Sequence, residues 1–385
     1  MPSPALSHRS DSVWPVAIIG AGKIGRSLAA MLTATGDYRV TLADRDEAAL
    51  AAASRPGVET RVIDVSDEKA LAAFLAGKTA VLSAAPFFLT GPIARAAKAA
   101  GTHYFDLTED VASTKLVKEL ADGAETLFAP QCGLAPGFVS IAAHDLATRF
   151  DALDTLTLRV GALPRYPTNA LKYNLTWSTD GLINEYCNPC EAVVDGVPTL
   201  VQPLEGYETF SLDGVDYEAF NTSGGLGSLA ETLDGKVRNL RYLTARYPGH
   251  RDIMRMLLTD LGLRDRRDLM RDVMETAVAA TRQDTVLIFI TASGTRGDTR
   301  EEMSSIFKVA AQEVDGETWS AIQLTTSSGI CAALDLVRNG RLPRSGFLRQ
   351  ETIPLDAMLE NRFGKVYAQG RVAALPSRTR PRAAA

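Results

Sequence analysis

The stretch Gly20-Ala21-Gly22-Lys23-Ile24-Gly25 follows the apolar run Val16–Ile19 and opens an amphipathic segment reaching about Thr35. A second apolar run, Tyr38–Leu42, closes on Asp44, about twenty residues past the glycines. Each residue type here has a physical use. Gly20 permits a sharp turn from strand to helix, and Gly22 lets backbone N–H groups approach a pyrophosphate at the positive end of the helix. Gly25 lets that helix lie close on the strand. The Asp44 carboxylate is placed to accept hydrogen bonds from a ribose 2′-hydroxyl. The order of strand, glycines, helix, strand and carboxylate predicts a Rossmann dinucleotide-binding unit. A carboxylate at position 44 repels the 2′-phosphate of NADP and favours NAD. Arg45 offsets part of that repulsion, so NADP stays open as the alternative.

In sheets of this kind ligands bind outside the carboxyl ends of the strands. That rule places Asp64 and Val65 toward an adenine, and Ser83, Ala84 and Pro86 near the ribose or nicotinamide. Lys23 and Ile24 lie in the turn itself, and Cys132 in a loop expected to face the cofactor. Asp106 and Glu109 follow the strand His103–Asp106 and form the acidic rim of the site. A carboxylate there can bind an ammonium group and accept its proton. Helix capping is the competing use, because Thr108 and Asp110 begin a helix and acidic residues gather in first turns.

Farther on, Lys172, Tyr173 and Trp177 precede a predicted helix at Asp180–Tyr186. Lys172 and Tyr173 can move protons only if burial shifts their pKa values. Trp177 either walls the site or fills a core. Arginine forks grip carboxylates. The candidates are Arg159, Arg165, Arg238, Arg241 and Arg246, with Arg241 and Arg246 favoured for their place in or just before Arg246-Tyr-Pro-Gly-His250. Thr222, Ser223 and Gly224 lie in a glycine-rich segment that either approaches a ligand or forms a surface hairpin turn. His103 and His144 read as structural. No metal site is expected, since Cys187-Asn-Pro-Cys190 has no partner pair at zinc spacing.

The elements that must position these residues alternate strand and helix through about Phe128. Later come Leu153–Val160, read as a half-buried antiparallel strand, and β-prone pieces at 199–204, 207–212, 217–220, 237–244 and 286–291. A second helix is predicted at Asp252–Leu261, and an apolar stretch, Thr318–Val337, returns the chain to its first domain. The predicted organisation is α/β. It has a Rossmann domain at 14–135 completed by 320–370, an inserted α+β substrate and dimerisation domain at 136–319, and disordered tails at 1–13 and 371–385. A chain of 385 residues exceeds a single core. A net charge of −5 gives no reason to expect nucleic acid or an anionic membrane. The uncharged stretches 79–94 and 126–143 carry proline and glycine and so read as buried strand plus loop. Four cysteines in so long a chain suggest a reducing cytoplasm. A homodimer is expected, to cover the edges and apolar faces of the inserted sheet.

Taken together, GAGKIG (20–25), HYFDLTED (103–110), QCGLAPGF (131–138), LTWSTDGLINEY (175–186), NTSGGLG (221–227) and RYPGH (246–250) resemble the saccharopine dehydrogenase-like family. Within it, the resemblance is to bacterial L-lysine 6-dehydrogenases. It covers the chain from about Val16 to Gly364. It implies a Rossmann domain with an inserted α+β domain, an NAD(P) cofactor and a small amino-acid substrate bearing an amine. The implied reaction oxidises the ε-amine of lysine to allysine, which cyclises, with release of ammonia. The resemblance also implies that Trp177 walls the site. Saccharopine is the rival substrate, but relatives that form it carry an arginine in the segment that here reads Asn221–Gly227. A non-catalytic NAD(H)-binding sensor is the alternative of another class. The mechanism expected is two lobes holding a nicotinamide against an amine-bearing carbon, with the acidic strand tip beside it.

Overall fold

The structure, a computed structural model, describes residues 13–372 apart from residue 315. The tails expected at Met1–Ser12 and from Ala373 lie outside the described residues. The chain divides into two compact units, one of residues up to Ile141 with Ile322–Ala368, the other of Ala142–Ala321 with the residues from Gln369.

In the first unit, strands and helices alternate in the order β1 (Trp14–Ile19), α1 (Lys23–Thr33), β2 (Tyr38–Asp44), α2 (Glu47–Ala52), β3 (Val58–Val62), α3 (Glu68–Leu75), β4 (Ala80–Ser83), α4 (Thr90–Ala100), β5 (His103–Asp106), α5 (Val111–Ala121) and β6 (Leu127–Ala129). The central strands are short and mostly apolar, and β4 and β6 are buried at every position. That pattern suits a parallel sheet covered on both faces. Local chemistry sets the helix ends. Asp46, Asp67 and Asp110 cap α2, α3 and α5 by accepting from backbone N–H groups. Gly101 ends α4 in the left-handed region, at φ 63°.

The 126–143 stretch holds β6, the loop Pro130–Gly137 and then helix α6 (Phe138–Ala147), so its second half is helix where strand plus loop was expected. The second unit continues with β7 (Ala152–Pro164), α7 (Thr179–Cys187), β8 (Cys190–Val194), β9 (Val197–Val201), β10 (Glu208–Leu212), β11 (Val215–Asn221), the short α8 (Leu229–Thr232) and β12 (Val237–Arg246). Next come α9 (His250–Arg255), a π-helical turn at Met256–Asp260, α10 (Arg267–Ala277), β13 (Asp284–Arg296) and β14 (Thr299–Ala310). The main path of this sheet runs β10, β11, β12, β7, β13, β14 and the strand Arg371–Val372. Two sequence expectations change here. The strand read at Leu153–Val160 is central: it pairs antiparallel with β13 but parallel with β12, and from Leu156 onward almost every residue is buried. Residues 371–372, expected in a disordered tail, pair with Ile306 and Phe307. Strands β8 and β14 and helix α10 were not foreseen.

The chain returns to the first unit through α11 (Ala321–Arg338) and the strand Gly346–Phe347. The parallel sheet of that unit is then ordered Gly346–Phe347, β6, β5, β4, β1, β2, β3, so the order reverses between β1 and β4. A buried carboxylate anchors the returning segment. Asp335 of α11 accepts from Tyr38 Oη at 2.7 Å, Asn361 Nδ2 at 2.8 Å and Arg362 at 2.5 Å. Asp37 pairs with Arg338 at 3.1 Å and with Arg362 at 2.6 Å.

Candidate active site

The strand order of the first unit creates a crevice at the carboxyl ends of β1 and β4, where such sheets take their ligands. Gly20 has φ +104°, and a Cβ there would lie 2.7 Å from the Ala84 carbonyl oxygen. At Gly25 a Cβ would come within 1.7 Å of the Gly20 carbonyl oxygen, so α1 rests directly on the turn. Gly22 differs: a Cβ would meet nothing within 4 Å. The space beside it is open, and the first turn of α1 has neither an acidic residue nor a side-chain cap. Its N–H groups are thus left for an anion. The Ala21 N–H donates to Asp44 Oδ2 at 2.7 Å, tying the end of β2 to this turn. These residues fit a dinucleotide, with Gly20, Gly22 and the α1 N-terminus at the pyrophosphate and Asp44 at the ribose.

The other residues expected to line the cofactor are placed unevenly. Lys23 and Arg45 are exposed, and Ile24 is half-buried. Asp64 is exposed and its carboxylate takes the Ser66 hydroxyl and N–H, which hold its pKa below the usual range. The Val65 side chain packs into the hydrophobic core with Leu71, Phe74 and Leu75. Ser83 is buried, Ala84 half-buried and Pro86 exposed, with Phe87 and Phe88 exposed just beyond. Cys132 is buried; its thiol donates to the Ala129 carbonyl at 3.0 Å and accepts from Gln350 Nε2 at 3.0 Å. Burial pushes that thiol well above its ordinary pKa, so the neutral thiol is the favoured form there.

Asp106 is 2 % exposed. Tyr104 Oη donates to its Oδ2 at 2.7 Å, while the N–H groups of Thr108 and Gln131 donate to Oδ1 at 3.0 and 2.9 Å. The carboxylate therefore stitches the end of β5 to the loop after β6. Burial raises its pKa to about 6 despite those three donors. Glu109 keeps part of its surface although dense protein surrounds it. Its pKa is raised by burial, with the charges of Asp110 and Asp106 adding to the shift. The cap of α5 is Asp110, whose Oδ1 accepts from Ser113 N at 2.7 Å. Capping thus accounts for Asp110 and leaves Asp106 and Glu109 with other work.

In the second unit, Arg246 is 3 % exposed. Its guanidinium carbon lies 5.1 Å from the centre of the Tyr173 ring and 5.8 Å from that of Tyr186. Nη1 donates to the Ala245 carbonyl at 2.9 Å, and Nε has no hydrogen-bond partner. His250 Nδ1 is 2.9 Å from the Leu171 carbonyl, which can only accept, so Nδ1 carries the proton. Nε2 then accepts from Tyr186 Oη at 3.1 Å. Burial, with the Arg246 charge adding to it, drives the His250 pKa down to about 3, so the ring is neutral. Tyr173 is buried and its phenol has no hydrogen-bond partner; burial raises its pKa. Lys172, by contrast, is exposed, with Nζ on the Pro248 carbonyl at 2.8 Å. Trp177 is half-buried, and its ring lies so close to Gly181 that a Cβ there would fall 2.4 Å from it.

The arginine pair favoured from sequence separates. Residues 241 and 246 are an odd number of places apart on β12 and so point to opposite faces. Arg241 sits on the half-buried face, where it and Arg159 share Glu208, Arg241 at 2.9 Å. Thr222 is buried and bonds Thr244 Oγ1 at 2.7 Å; Ser223 N–H donates to the Glu185 carbonyl at 3.0 Å. Gly224 takes φ 86°, and the Tyr242 ring fills the space over Gly225, so the segment is packed inside and is no surface hairpin. Sequence reasoning missed Tyr186, Thr176, Tyr104 and the ring pair of His250. The signal for Tyr186 was the apolar face Leu182, Ile183 and Tyr186 at helical spacing. Among the described residues, no group of three His, Cys, Asp or Glu could hold a metal ion. Cys187 and Cys190 are buried free thiols, pushed up by burial. No helix of the described residues is long and apolar enough to cross a membrane.

A family model described as the saccharopine dehydrogenase NADP binding domain matches residues 16–128. One described as the saccharopine dehydrogenase C-terminal domain matches residues 133–366. Among solved structures, the chain is similar to apo saccharopine dehydrogenase (L-Glu forming) from Saccharomyces cerevisiae, with a TM-score of 0.74 at 17% identity, covering 90% of this chain and 96% of that one. It is also matched to a myo-inositol dehydrogenase from Corynebacterium glutamicum at 14% identity, covering 94% of this chain and 99% of that one, with a TM-score of 0.41. The yeast likeness is one of fold. The two family matches account for both the α/β nucleotide-binding sheet and the mixed sheet that follows. The chain belongs to the saccharopine dehydrogenase family, oxidoreductases that use a nicotinamide dinucleotide to act on amino-acid-derived substrates.

Proposed function

We propose that this protein oxidises the ε-amine of L-lysine to allysine, which cyclises, with release of ammonia and with NAD as oxidant. The observation that carries the choice of substrate is the state of the arginines. Of the five candidates for gripping carboxylates, Arg159 and Arg241 share Glu208, Arg238 lies on Asp195, and Arg165 stacks over Tyr166 at 5.5 Å. Arg246 is the buried guanidinium with an unused N–H. One such fork suits one carboxylate, as in lysine. Saccharopine carries three, and burying each without a partner is costly.

When bound, the dinucleotide supplies the two-electron acceptor, held by Gly20, Gly22, the N-terminus of α1 and Asp44. An ammonium cannot drive a hydride from its neighbouring carbon, so the amine must first lose a proton. Glu109 is our candidate acceptor: burial and the neighbouring carboxylates raise its pKa toward the range of a working base. Asp106, with three donors on it, holds the loop at Gln131 and lends charge. Once the carbon has given up its hydride, water adds to the resulting imine and ammonia leaves. In sum, lysine, oxidised cofactor and water give allysine, ammonium, reduced cofactor and a proton.

Product analysis tests this reading. Incubation with NAD and lysine should release ammonia in step with reduced cofactor. Incubation with saccharopine should yield no glutamate; glutamate from saccharopine and no ammonia from lysine would reverse the assignment. We also infer a homodimer, because the sheet face carrying Phe210, Leu212, Phe289 and Ile306 is left half-buried. A monomeric mass in light scattering at micromolar concentration would refute it.

A further inference from the structure

Buried polar groups in folded proteins almost always find partners, so a cluster of buried groups without them calls for an explanation. One such cluster lies in the second unit. Arg246 Nε, Tyr173 Oη and Thr176 Oγ1 are all buried and all lack a hydrogen-bond partner. They are neighbours: the guanidinium lies over the Tyr173 ring, and Thr176 and Trp177 reach toward the Tyr173 phenol without closing a bond of acceptable geometry. The surroundings hold the cluster in one arrangement. The neutral His250 donates to the Leu171 carbonyl and accepts a hydrogen bond from Tyr186, so the Tyr186 hydroxyl points its hydrogen away from the guanidinium while its ring stays beside it. Glu218 accepts from the N–H groups of Gly249 and Arg251 at 2.8 and 2.6 Å and pins the turn into α9. Each of the three orphaned groups has a proton to give, and one of them is cationic. The charge of Glu185 is felt by Arg246 and Tyr173, yet it closes no hydrogen bond with any of these three atoms, and an anion with two oxygens brought against them would.

We propose that Arg246, Tyr173 and Thr176 form a subsite for the carboxylate of an amino-acid substrate, entered past the half-buried Trp177. Arg246 gives charge and one N–H, and the two hydroxyls complete the set. Tyr186 and His250 are positioning residues, since they act through Arg246. A buried ammonium or imidazolium would serve no such ligand better, because only the guanidinium stays charged at this depth. The inference deepens the substrate reading above and rests on it for the identity of the amino acid, though not for the class of ligand.

The test is calorimetric titration of the full-length, NADH-loaded enzyme with two probes. One is 6-aminohexanoate, with amine and carboxylate at opposite ends; the other is hexylamine, which lacks the carboxylate. The wild-type protein should prefer 6-aminohexanoate by about tenfold or more, the usual worth of hydrogen bonds to a charged group. Tyr173→Phe and Thr176→Val should each cut that preference severalfold while leaving hexylamine binding unchanged. Equal binding of the two probes, or full preference in both variants, overturns the proposal. Thermal unfolding of the unliganded variants adds a readout. Deleting an unpaired buried hydroxyl should leave the midpoint unchanged or raise it. A clear fall in both variants would mean that the hydroxyls bond within the fold, and would also overturn it. If lysine is not oxidised yet the carboxylate preference is present and falls in the variants, the subsite stands and the lysine reading alone fails.

Discussion

Ala21 and Asp44 are joined by a 2.7 Å hydrogen bond, so the carboxylate we propose for the ribose also braces the glycine turn we propose for the pyrophosphate. A second oxygen of the same group accepts from Asp46 N–H at 3.0 Å. Removal and neutralisation should therefore differ. Asp44→Asn keeps an acceptor for Ala21 but gives up the one for Asp46 N–H together with the charge; NADPH should gain on NADH in fluorescence titration, at a stability cost of about 1 kcal/mol. Asp44→Ala loses both, and NADH affinity should fall more than that of NADPH. Equal losses for the two cofactors would mean that Asp44 is not the ribose contact.

The glycines of the turn divide by what surrounds them. Gly22→Ala meets open space and should fold normally while dinucleotide binding drops by at least tenfold, read by NADH fluorescence. Gly25→Ala forces a methyl into the Gly20 carbonyl and should cost several kcal/mol, about 3 or more, in urea unfolding. If both variants fold and bind alike, α1 does not lie on the turn as described.

Asp106 gives a pH dependence of definite sign. Its folded pKa, about 6, stands above the unfolded value near 3.8. Its contribution is thus fully present below pH 4 and is lost as pH rises through 6, amounting to about 3 kcal/mol. Asp106→Asn keeps acceptors for Thr108 and Gln131 and cannot ionise. Wild type minus variant, measured by urea unfolding from pH 4 to pH 7, should fall with rising pH. His250 runs the other way. Its pKa is lowered to about 3, so its contribution is present above 6.5 and lost on acidification. His250→Asn, which keeps a donor for Leu171, should flatten that acid limb. Parallel curves for either variant would place the group in water.

Arg241 and Arg246 on β12 should separate in kinetics. Arg241 is a half-exposed ion pair, and Arg241→Ala should change stability by at most about 1 kcal/mol and leave the substrate KM nearly unchanged. Arg246→Lys keeps a positive charge and loses the fork, and should raise KM by about tenfold or more. An equal effect of both would contradict the assignment of faces.

How much of this was legible depended on the element. The first sheet could be read strand by strand because Ala80–Ser83 is a short uncharged run, His103–Asp106 a short run closing on its carboxylate, and because the glycines and Asp44 keep fixed offsets. The second unit gave less. Strand Thr299–Ala310 carries Arg300, Glu301, Glu302 and Lys308, and reads as loop until β13 supplies its partner. In α10, Met270 and Met274 mark the buried face, but charge on every side hides them. The opposite facing of Arg241 and Arg246 follows from a period of two once the strand runs to Arg246. Ending it at Thr244 concealed the arithmetic. Nothing in the sequence told that Tyr173 and Thr176 would be left without partners, since that is a property of packing.

The most direct test is the initial rate of NAD reduction by the purified enzyme with lysine, saccharopine, ornithine or diaminopimelate supplied separately. We expect kcat/KM for lysine to exceed that for saccharopine by tenfold or more, and to collapse in Glu109→Gln. Turnover of saccharopine alone, or undiminished lysine turnover in that variant, would contradict that expectation.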